Sequence, residues 1–423
     1  MLDLNTLLNE TDDVAERLAT KGTDKLQVYE ARDAVLKRRA ARHKVDELRA
    51  DMNKRSKESG PIIAKGGPEA ERLRAELTEL KRELEAAETE SRAADGQESE
   101  SLLILPNLPD RDCPVGSDED SNVVLRHSDL EARPDSSARP HWDLATDLGI
   151  FDPERAAKLS GSGFSVLRGD GARLLRALVQ FGLDLHRDEY EEMVVPHFVR
   201  GDTMVGTGHL PKFQDDAYVT TLDSLWAIPT GEVPLTGLHR NEILNEDELP
   251  LKYMTYTACF RREAGSAGKD TRGMQRLHEF HKVELVHLCK PEDVADQFEA
   301  LLAAAEKSLT RLNLPYRVVD LATGDLTFSS ARIFDLEVYS PGVDKWLEVS
   351  SVGNFTDFQS RRSKIRYRGT DGRIRFPYTL NGSAIATPRV WAALLEHGQQ
   401  SDGTVVVPEA LRPYMGKDLI EPR

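Results

Sequence analysis

Cysteine is scarce in this chain. Cys113, Cys259 and Cys289 lie far apart and form no CxxC pair, which argues against a disulfide framework or a cysteine-rich zinc site. No apolar run approaches the roughly 18 residues needed to cross a bilayer. The opening MLDLNTLLNETDD lacks the basic stretch and long apolar core of a signal peptide, so the expected location is the cytoplasm, with no membrane partner. The familiar nucleotide loops are missing as well. There is no GxxxxGK[ST] and no strand-linked GxGxxG, and the glycine-rich GSGFSVLRGDG at 161–171 fits neither. Any ATP site must therefore be built from side chains on a sheet. Positive charge is in deficit: 56 Lys+Arg against 72 Asp+Glu leave a net −16 over 423 residues. Phosphate attracts Lys and Arg, so this balance lowers the expectation of a nucleic-acid partner. The length is enough for two or more domains.

Residues 1–25 read as a short capped helix and a connection. Residues 26–98 contain no aromatic after Tyr29 and are dense in Ala, Leu, Glu, Lys and Arg. Leu73, Leu77, Leu80, Leu84 and Ala87 alternate spacings of four and three, the seam of a coiled coil. Ala31, Val35, Val45, Leu48 and Met52 fit a facing helix. SGPIIAKGGP at 59–68 carries three Gly and two Pro and is expected to break the helix, giving an antiparallel hairpin about 45 Å long. Residues 28–57 hold ten Lys/Arg against five Asp/Glu, and residues 69–98 hold the reverse. Opposite signs favour pairing in one register. A solvated scaffold or dimer zipper is the bland interpretation; an arm whose basic helix lies along a polyanion is the sharper one. Residues 101–140, rich in Pro, Asp and Ser, read as a linker. From 141 to 423, short strands crowd the middle and helices do not alternate with them regularly. That pattern predicts an antiparallel-rich α+β body.

Four segments could carry chemistry. FRREAGSAGKDTRGMQRLHEFHKVELV (260–286) reads as strand, polar loop and returning strand. Arg261 and Glu263 are expected on one face of the first strand, and Phe280, Lys282 and Glu284 on one face of the second. Arg suits phosphate, a carboxylate suits an amine or ammonium, and Phe can stack on a base. A solvated charged hairpin is the alternative. In WLEVSSVGNFTDFQSRR (346–362), Glu348 and Ser350 are expected to share a face, with Ser351 at the strand's end. Two such oxygen donors suit Mg²⁺, though an ordinary edge strand fits too. In TLNGSAIATPRVWAALLE (379–396), a strand is expected to end at Asn-Gly-Ser and a helix to begin at once, placing Arg389 about one and a half turns in. AIPTGEVPLTGLHR (227–240) sets Thr230 and Glu232 about Gly231, which would suit a small polar amine or a plain helix cap.

Taken in this order, these segments resemble the seryl-tRNA synthetases, a family of class II aminoacyl-tRNA synthetases. The likeness covers almost the whole chain, including the arm, LPNLP, GTGHLPKF, TGEVPLTGLHR, the arginine–glutamate hairpin, EVSS…NFTDFQSRR and TLNGSAIATPR. Class II motif 1 matches the helix from Gly171 and the strand ending at Pro196; motif 2 matches Arg261 to Glu284; motif 3 matches Asn381 to Arg389. The resemblance implies an antiparallel sheet flanked by helices, dimeric through motif 1, with residues 1–100 binding tRNA, 101–140 leading into the body and 141–423 catalytic. It implies that serine and ATP form seryl-adenylate and that serine then passes to the 3′-terminal adenosine of tRNA(Ser); charging of selenocysteine tRNA stays open. Arg261 resembles the arginine bridging the α-phosphate and the serine carboxylate, and Arg389 the one holding the γ-phosphate. Glu263 and Phe280 resemble the adenine-reading pair, with Arg262, Val349 and Ser350 also at the ATP site. Glu348 and Ser351 resemble Mg²⁺ ligands, and Thr230, Gly231, Glu232, Arg261, Glu284 and Ser383 the serine pocket. The family reads the long variable arm of its tRNA with the coiled coil, which favours polyanion binding through Arg32, Arg38, Arg39, Arg42, Arg49, Lys54 and Arg55. His209, Gly231, His281, Val352 and Gly353 depart from common family choices and leave open a specialised paralogue. A ligase loading a carrier protein would lack the arm, and a dead scaffold would show a broken motif; neither fits.

Overall fold

The computed structural model describes residues 1–132, 137–264 and 272–422. Most of the loop AGSAGKDTRG therefore lies outside the described residues. Two units are distinguished, Met1–Pro106 and Asn107–Arg423. The first is helical. Asp3 caps the helix Leu4–Asn9 by accepting from the Asn5 and Thr6 amides, and the separate helix Thr11–Ala19 follows. Asp24 caps the first arm helix, Lys25–Lys65, and the second runs from Pro68 to Leu103. The first arm helix passes through Gly60 and Pro61 and ends only at Gly66 and Gly67, both at positive φ. The expected break at 59–68 is thus confined to these two residues. Pro61 removes one N–H close to a solvated helix end, a local cost, whereas the reversal needs backbone angles that suit glycine.

Along the second arm helix, Leu80 and Ala87 are buried and Leu73, Leu77 and Leu84 half-buried, while their neighbours are mostly exposed. The ion pairs Arg38–Glu98, Arg42–Asp95, Lys44–Glu90 and Arg49–Glu88 descend the second helix as they climb the first, an antiparallel register. Partly exposed pairs contribute only about 0–1 kcal/mol each, so the apolar seam carries stability and the charges select register.

The second unit is built on an eight-stranded sheet. In chain order its strands are β1 (Val123–His127), β2 (Glu191–Met193), β3 (Leu251–Phe260), β4 (Glu279–Cys289), β5 (Tyr316–Asp320), β6 (Arg332–Ser340), β7 (Lys345–Asn354) and β8 (Tyr378–Ala386). Their spatial order is β1-β5-β6-β7-β8-β4-β3-β2. All neighbours are antiparallel except β2, which runs parallel to β3. β1 corrects the expectation of a plain linker over 101–140: its Val-Val pair adds an exposed edge strand against β5. The helices Asp170–His186, Val294–Arg311 and Thr387–Gly398 share one core with Val283 and Leu285 of β4, Val352 of β7 and Leu380 of β8. The alternate residues of β4 and β8 therefore face the other way, which is where the site forms.

Two further expectations are corrected. β8 does not stop at Asn-Gly-Ser but pairs with β4 through Ala386, so the helix starts at Thr387 and Arg389 lies in its first turn. Gly382 serves packing there, since a Cβ would stand 3.1 Å from Val352 Cγ2. Arg261 and Glu263 lie beyond the end of β3, with Glu263 at φ 52°, so they do not share a strand face. Among the described residues no helix is long and apolar enough to cross a membrane.

Burial of the seam gives a test. Leu80→Ala should cost about 2 kcal/mol of arm stability, whereas Lys81→Ala on the solvent face should cost less than about 0.5 kcal/mol. Urea unfolding followed by helical circular dichroism would separate the two.

Candidate active site

A cavity of about 460 Å³ opens on the sheet face away from the core helices. Its most buried feature is a charge cluster. Glu284 on β4 is 1% exposed and pairs with Lys282, two residues earlier on the same face. Thr230 completes the cluster: its hydroxyl donates to Glu284 Oε2 (2.7 Å) and accepts from Lys282 Nζ (2.9 Å) and from the Glu232 amide (3.1 Å). The N-cap of the short helix Glu232–Gly237 is Gly231, with no side-chain cap, so Thr230 is not a plain helix cap; it lines the cavity. Gln359 donates to Glu232 Oε1 (2.6 Å), and Thr379 donates to Gln359 Oε1 (2.6 Å), which fixes the amide's orientation. Burial and then the Glu284 charge push the Glu232 carboxyl up to about 7. The Gln359 and Asn381 amides beside Glu232 offset part of that rise.

A second cluster is built on arginine. Arg389 donates through Nε to the Gln275 carbonyl (3.2 Å) and through Nη1 to the Glu348 carbonyl (2.6 Å), with Glu348 Oε2 at 3.3 Å. Two contacts of this kind hold a guanidinium in place while leaving N–H groups for a ligand. Arg261 packs its guanidinium 5.1 Å from the centre of the Phe280 ring and has no carboxylate partner among the described residues. Glu263 pairs with Arg276 at 3.2 Å. His209 lines the same cavity, and burial followed by the Arg261 and Lys282 cations pushes it down to about 3. It is therefore a neutral polar group, which explains how a histidine is tolerated beside two cations.

β7 decides which oxygen donors reach the cavity. Its pairing with β6 slips between Glu348 and Ser350, and this bulge turns Glu348, Val349 and Ser351 to the cavity. Ser350 instead donates to the Ser383 carbonyl at 2.7 Å beneath the site. The expectation that Glu348 and Ser350 share the working face is thus corrected, and Ser351 lies within the strand, not at its end. Asp335 stands across from Ser351 on β6, and its Oδ1 has no partner among the described residues. Desolvation and then the Glu348 charge raise its carboxyl well above the ordinary range.

Of the residues expected at the site, Arg261, Glu263, Phe280, Glu348, Val349, Ser351, Arg389, Thr230, Glu232, Glu284 and Ser383 line one cavity. Arg262 does not; it is exposed, and its amide donates to the Asp216 carbonyl. Gly231 lies behind the lining, where a Cβ would come within 2.7 Å of Thr255 Cγ2. Sequence reasoning gave no role to Lys282, Gln359, Asn381, Gln275 or Arg276. The signal for Lys282 was its place between Phe280 and Glu284 on one strand face; Gln359 and Asn381 stood inside motifs without a visible partner. Together the cavity offers cations for a polyphosphate, buried carboxylates for an ammonium and an aromatic face for a base.

This fold and site define a class II aminoacyl-tRNA synthetase, and residues 217–398 match the family model "tRNA synthetase class II core domain (G, H, P, S and T)". Residues 1–109 match the "Seryl-tRNA synthetase N-terminal domain". The chain belongs to the seryl-tRNA synthetase family. A serine--tRNA ligase of Gemmatimonas aurantiaca is 47% identical over 427 residues, covering 99% of this chain and 100% of that one. One from Caldicellulosiruptor saccharolyticus is 46% identical with 100% of both covered. The crystal structure of seryl-tRNA synthetase from Pyrococcus horikoshii complexed with ATP matches with a TM-score of 0.92 at 35% identity, again over 100% of both chains.

The raised Glu232 carboxyl gives a pH test. A group raised on folding adds stability that is complete below its ordinary value of 4.5 and is lost as pH rises through about 7. Glu232→Gln cannot ionise. It should melt above the unsubstituted protein at pH 8, and the two melting curves should converge below about pH 4.5.

Proposed function

We propose that this chain activates L-serine with ATP and transfers it to the 3′-terminal adenosine of tRNA(Ser), with the residues above in the following roles. The observation that carries the assignment is one cavity lined both by Arg261, which packs on the Phe280 ring and has no carboxylate partner among the described residues, and by the buried Thr230–Lys282–Glu284 cluster. The serine ammonium docks against Glu232 and Glu284, and Thr230, Asn381 and Ser383 supply polar partners to the substrate. A site whose buried polar groups depend on the substrate hydroxyl rejects alanine strongly, by up to about 10⁴-fold. Phe280 stacks on adenine and Glu263 accepts from its amino group. A serine carboxylate oxygen attacks the α-phosphorus in line, the bond to the bridging oxygen breaks, and pyrophosphate leaves. Arg261 spans the attacking carboxylate and the α-phosphate, and Arg389 holds the γ-phosphate. Their value is positional and electrostatic, and no side-chain base is needed because the nucleophile is already ionised. The adenosine hydroxyl then attacks the acyl carbon, and AMP leaves.

The donor set fits Mg²⁺. Glu348 and Ser351 turn hard oxygens to the cavity, Oδ1 of Asp335 on the neighbouring strand has no hydrogen-bond partner among the described residues, and among those residues no cluster of three or more His, Cys, Asp or Glu could hold a metal alone. Such a site suits an ion that takes one or two protein ligands and completes its shell with phosphate oxygens. Glu348 and Ser351 would hold it, and it would supply neutralisation of the polyphosphate. The proposal includes a homodimer formed through the motif 1 region, a cytoplasmic location, residues 1–100 as the tRNA-binding domain and 141–423 as the catalytic one. The arm would meet the long variable arm of tRNA(Ser), supported by its basic helix.

Pyrophosphate exchange tests the site without tRNA. Exchange should require serine and fail with Ala, Gly and Thr, and Arg261→Ala should lower it about 10²- to 10³-fold. Full activity in that variant would overturn the assignment. Deleting 28–98 should spare exchange and abolish tRNA charging; unchanged charging would refute the arm's role.

A further inference from the structure

We propose that His141 is a positioning residue for the ATP site: with Glu396 it fixes the segment returning to β4 through one hydrogen bond, from the Met274 amide to Nε2. The ring is 1% exposed and the carboxyl fully buried. His141 Nε2 accepts from Met274 N at 3.0 Å, and Nδ1 stands 2.8 Å from Glu396 Oε1. A backbone N–H can only donate, so Nε2 must present its lone pair and the ring proton must sit on Nδ1, facing the carboxylate. Glu396 is saturated. Oε1 also takes the His141 amide (3.0 Å), and Oε2 takes the Gly342 amide (3.1 Å) and the Ser340 hydroxyl. Every partner holds the ring in one tautomer and one orientation.

The segment so held serves the arginine cluster. Met274 is followed by Gln275, whose carbonyl receives Arg389 Nε, and by Arg276, which pairs with Glu263. Arg389 and Glu396 belong to one helix, Thr387–Gly398, two turns apart. That helix therefore holds the returning segment twice, at Gln275 through Arg389 and at Met274 through Glu396 and His141. Gly273 makes the approach possible. Its φ is +66°, and a Cβ there would stand 2.2 Å from His141 Nε2.

The inference rests on the assignment of ATP to the arginine cluster, and the experiment separates the two. Serine-dependent pyrophosphate exchange is measured for His141→Asn, His141→Gln, Gly273→Ala and Arg389→Ala. Asn replaces the Nδ1 donor and loses the acceptor; Gln replaces the acceptor at Nε2. His141→Asn should raise KM for ATP about tenfold with KM for serine within about twofold, and His141→Gln should recover most of the loss. Gly273→Ala should reproduce the ATP-selective rise with His141 intact, and it carries the test if the histidine variants fold poorly. A purely structural ion pair predicts the opposite order, Asn better than Gln, or a parallel loss for both substrates; either result overturns the inference. An unchanged KM for ATP in Gly273→Ala overturns it as well. If Arg389→Ala leaves KM for ATP unchanged, the ATP assignment itself fails.

Discussion

Glu284 is a carboxylate taken almost wholly out of water, and the cavity is arranged around that fact. A buried charge without a partner is costly, so the fold must supply a cation and hydrogen-bond donors at fixed positions. Lys282 supplies the cation from the same strand face, and Thr230 supplies a hydroxyl from the turn before a short helix. Thr230 is saturated in turn by Lys282 and by the Glu232 amide. None of these groups can move far without leaving another unsatisfied. The cluster therefore presents a nearly rigid polar wall, and the second carboxylate beside it, Glu232, is pushed up to about 7, first by its burial and then by the Glu284 charge. A ligand that brings a cation to this wall would relieve the repulsion between the two carboxylates.

The other end of the cavity is governed by small departures from regular pairing. Side chains on a strand alternate between faces, so one extra residue reverses everything beyond it. The slip in β7 is what lets Glu348 and Ser351, an odd number apart, reach the same cavity. A second slip, between Ser383 and Ile385, lies on β8 beside it. With Ser383 at the cavity, Ile385 still reaches the core. Without these irregularities the sheet would keep its hydrogen bonds and lose its donor set.

Those slips also mark the limit of what could be read beforehand. The apolar seam of the arm, the strand face of Phe280, Lys282 and Glu284, and the start of the Asp170–His186 helix follow from periodicity and were legible. The site residues were legible chiefly because several segments stand together in a family's order. Periodicity alone placed Ser350 on the working face, since nothing in EVSSV announces a bulge. It ended β8 at Asn-Gly-Ser, since a glycine chosen for close packing against Val352 looks the same as one chosen for a turn. Lys282 and Asn381 were named or spanned without a role because their meaning depends on partners 50 or more residues away in the chain, Thr230 for the lysine and Glu284's cavity for the amide.

The net charge of −16 argued against a nucleic-acid partner, and the arm shows why the sum misleads. Four of the second helix's carboxylates are engaged locally, against Arg38, Arg42, Lys44 and Arg49 of the first. Arg32 and Arg55 have carboxylates on their own helix. Of the seven cations offered for tRNA, Arg39 and Lys54 have no carboxylate partner among the described residues. For a cation already paired, phosphate binding exchanges one anion for another, and the exposed pairs are weak enough to be exchanged. For Arg39 and Lys54 it is a net gain of contact. In the proposed function these two would carry more of the salt-dependent affinity than their neighbours, whose role is to keep the basic helix in register with its acidic partner.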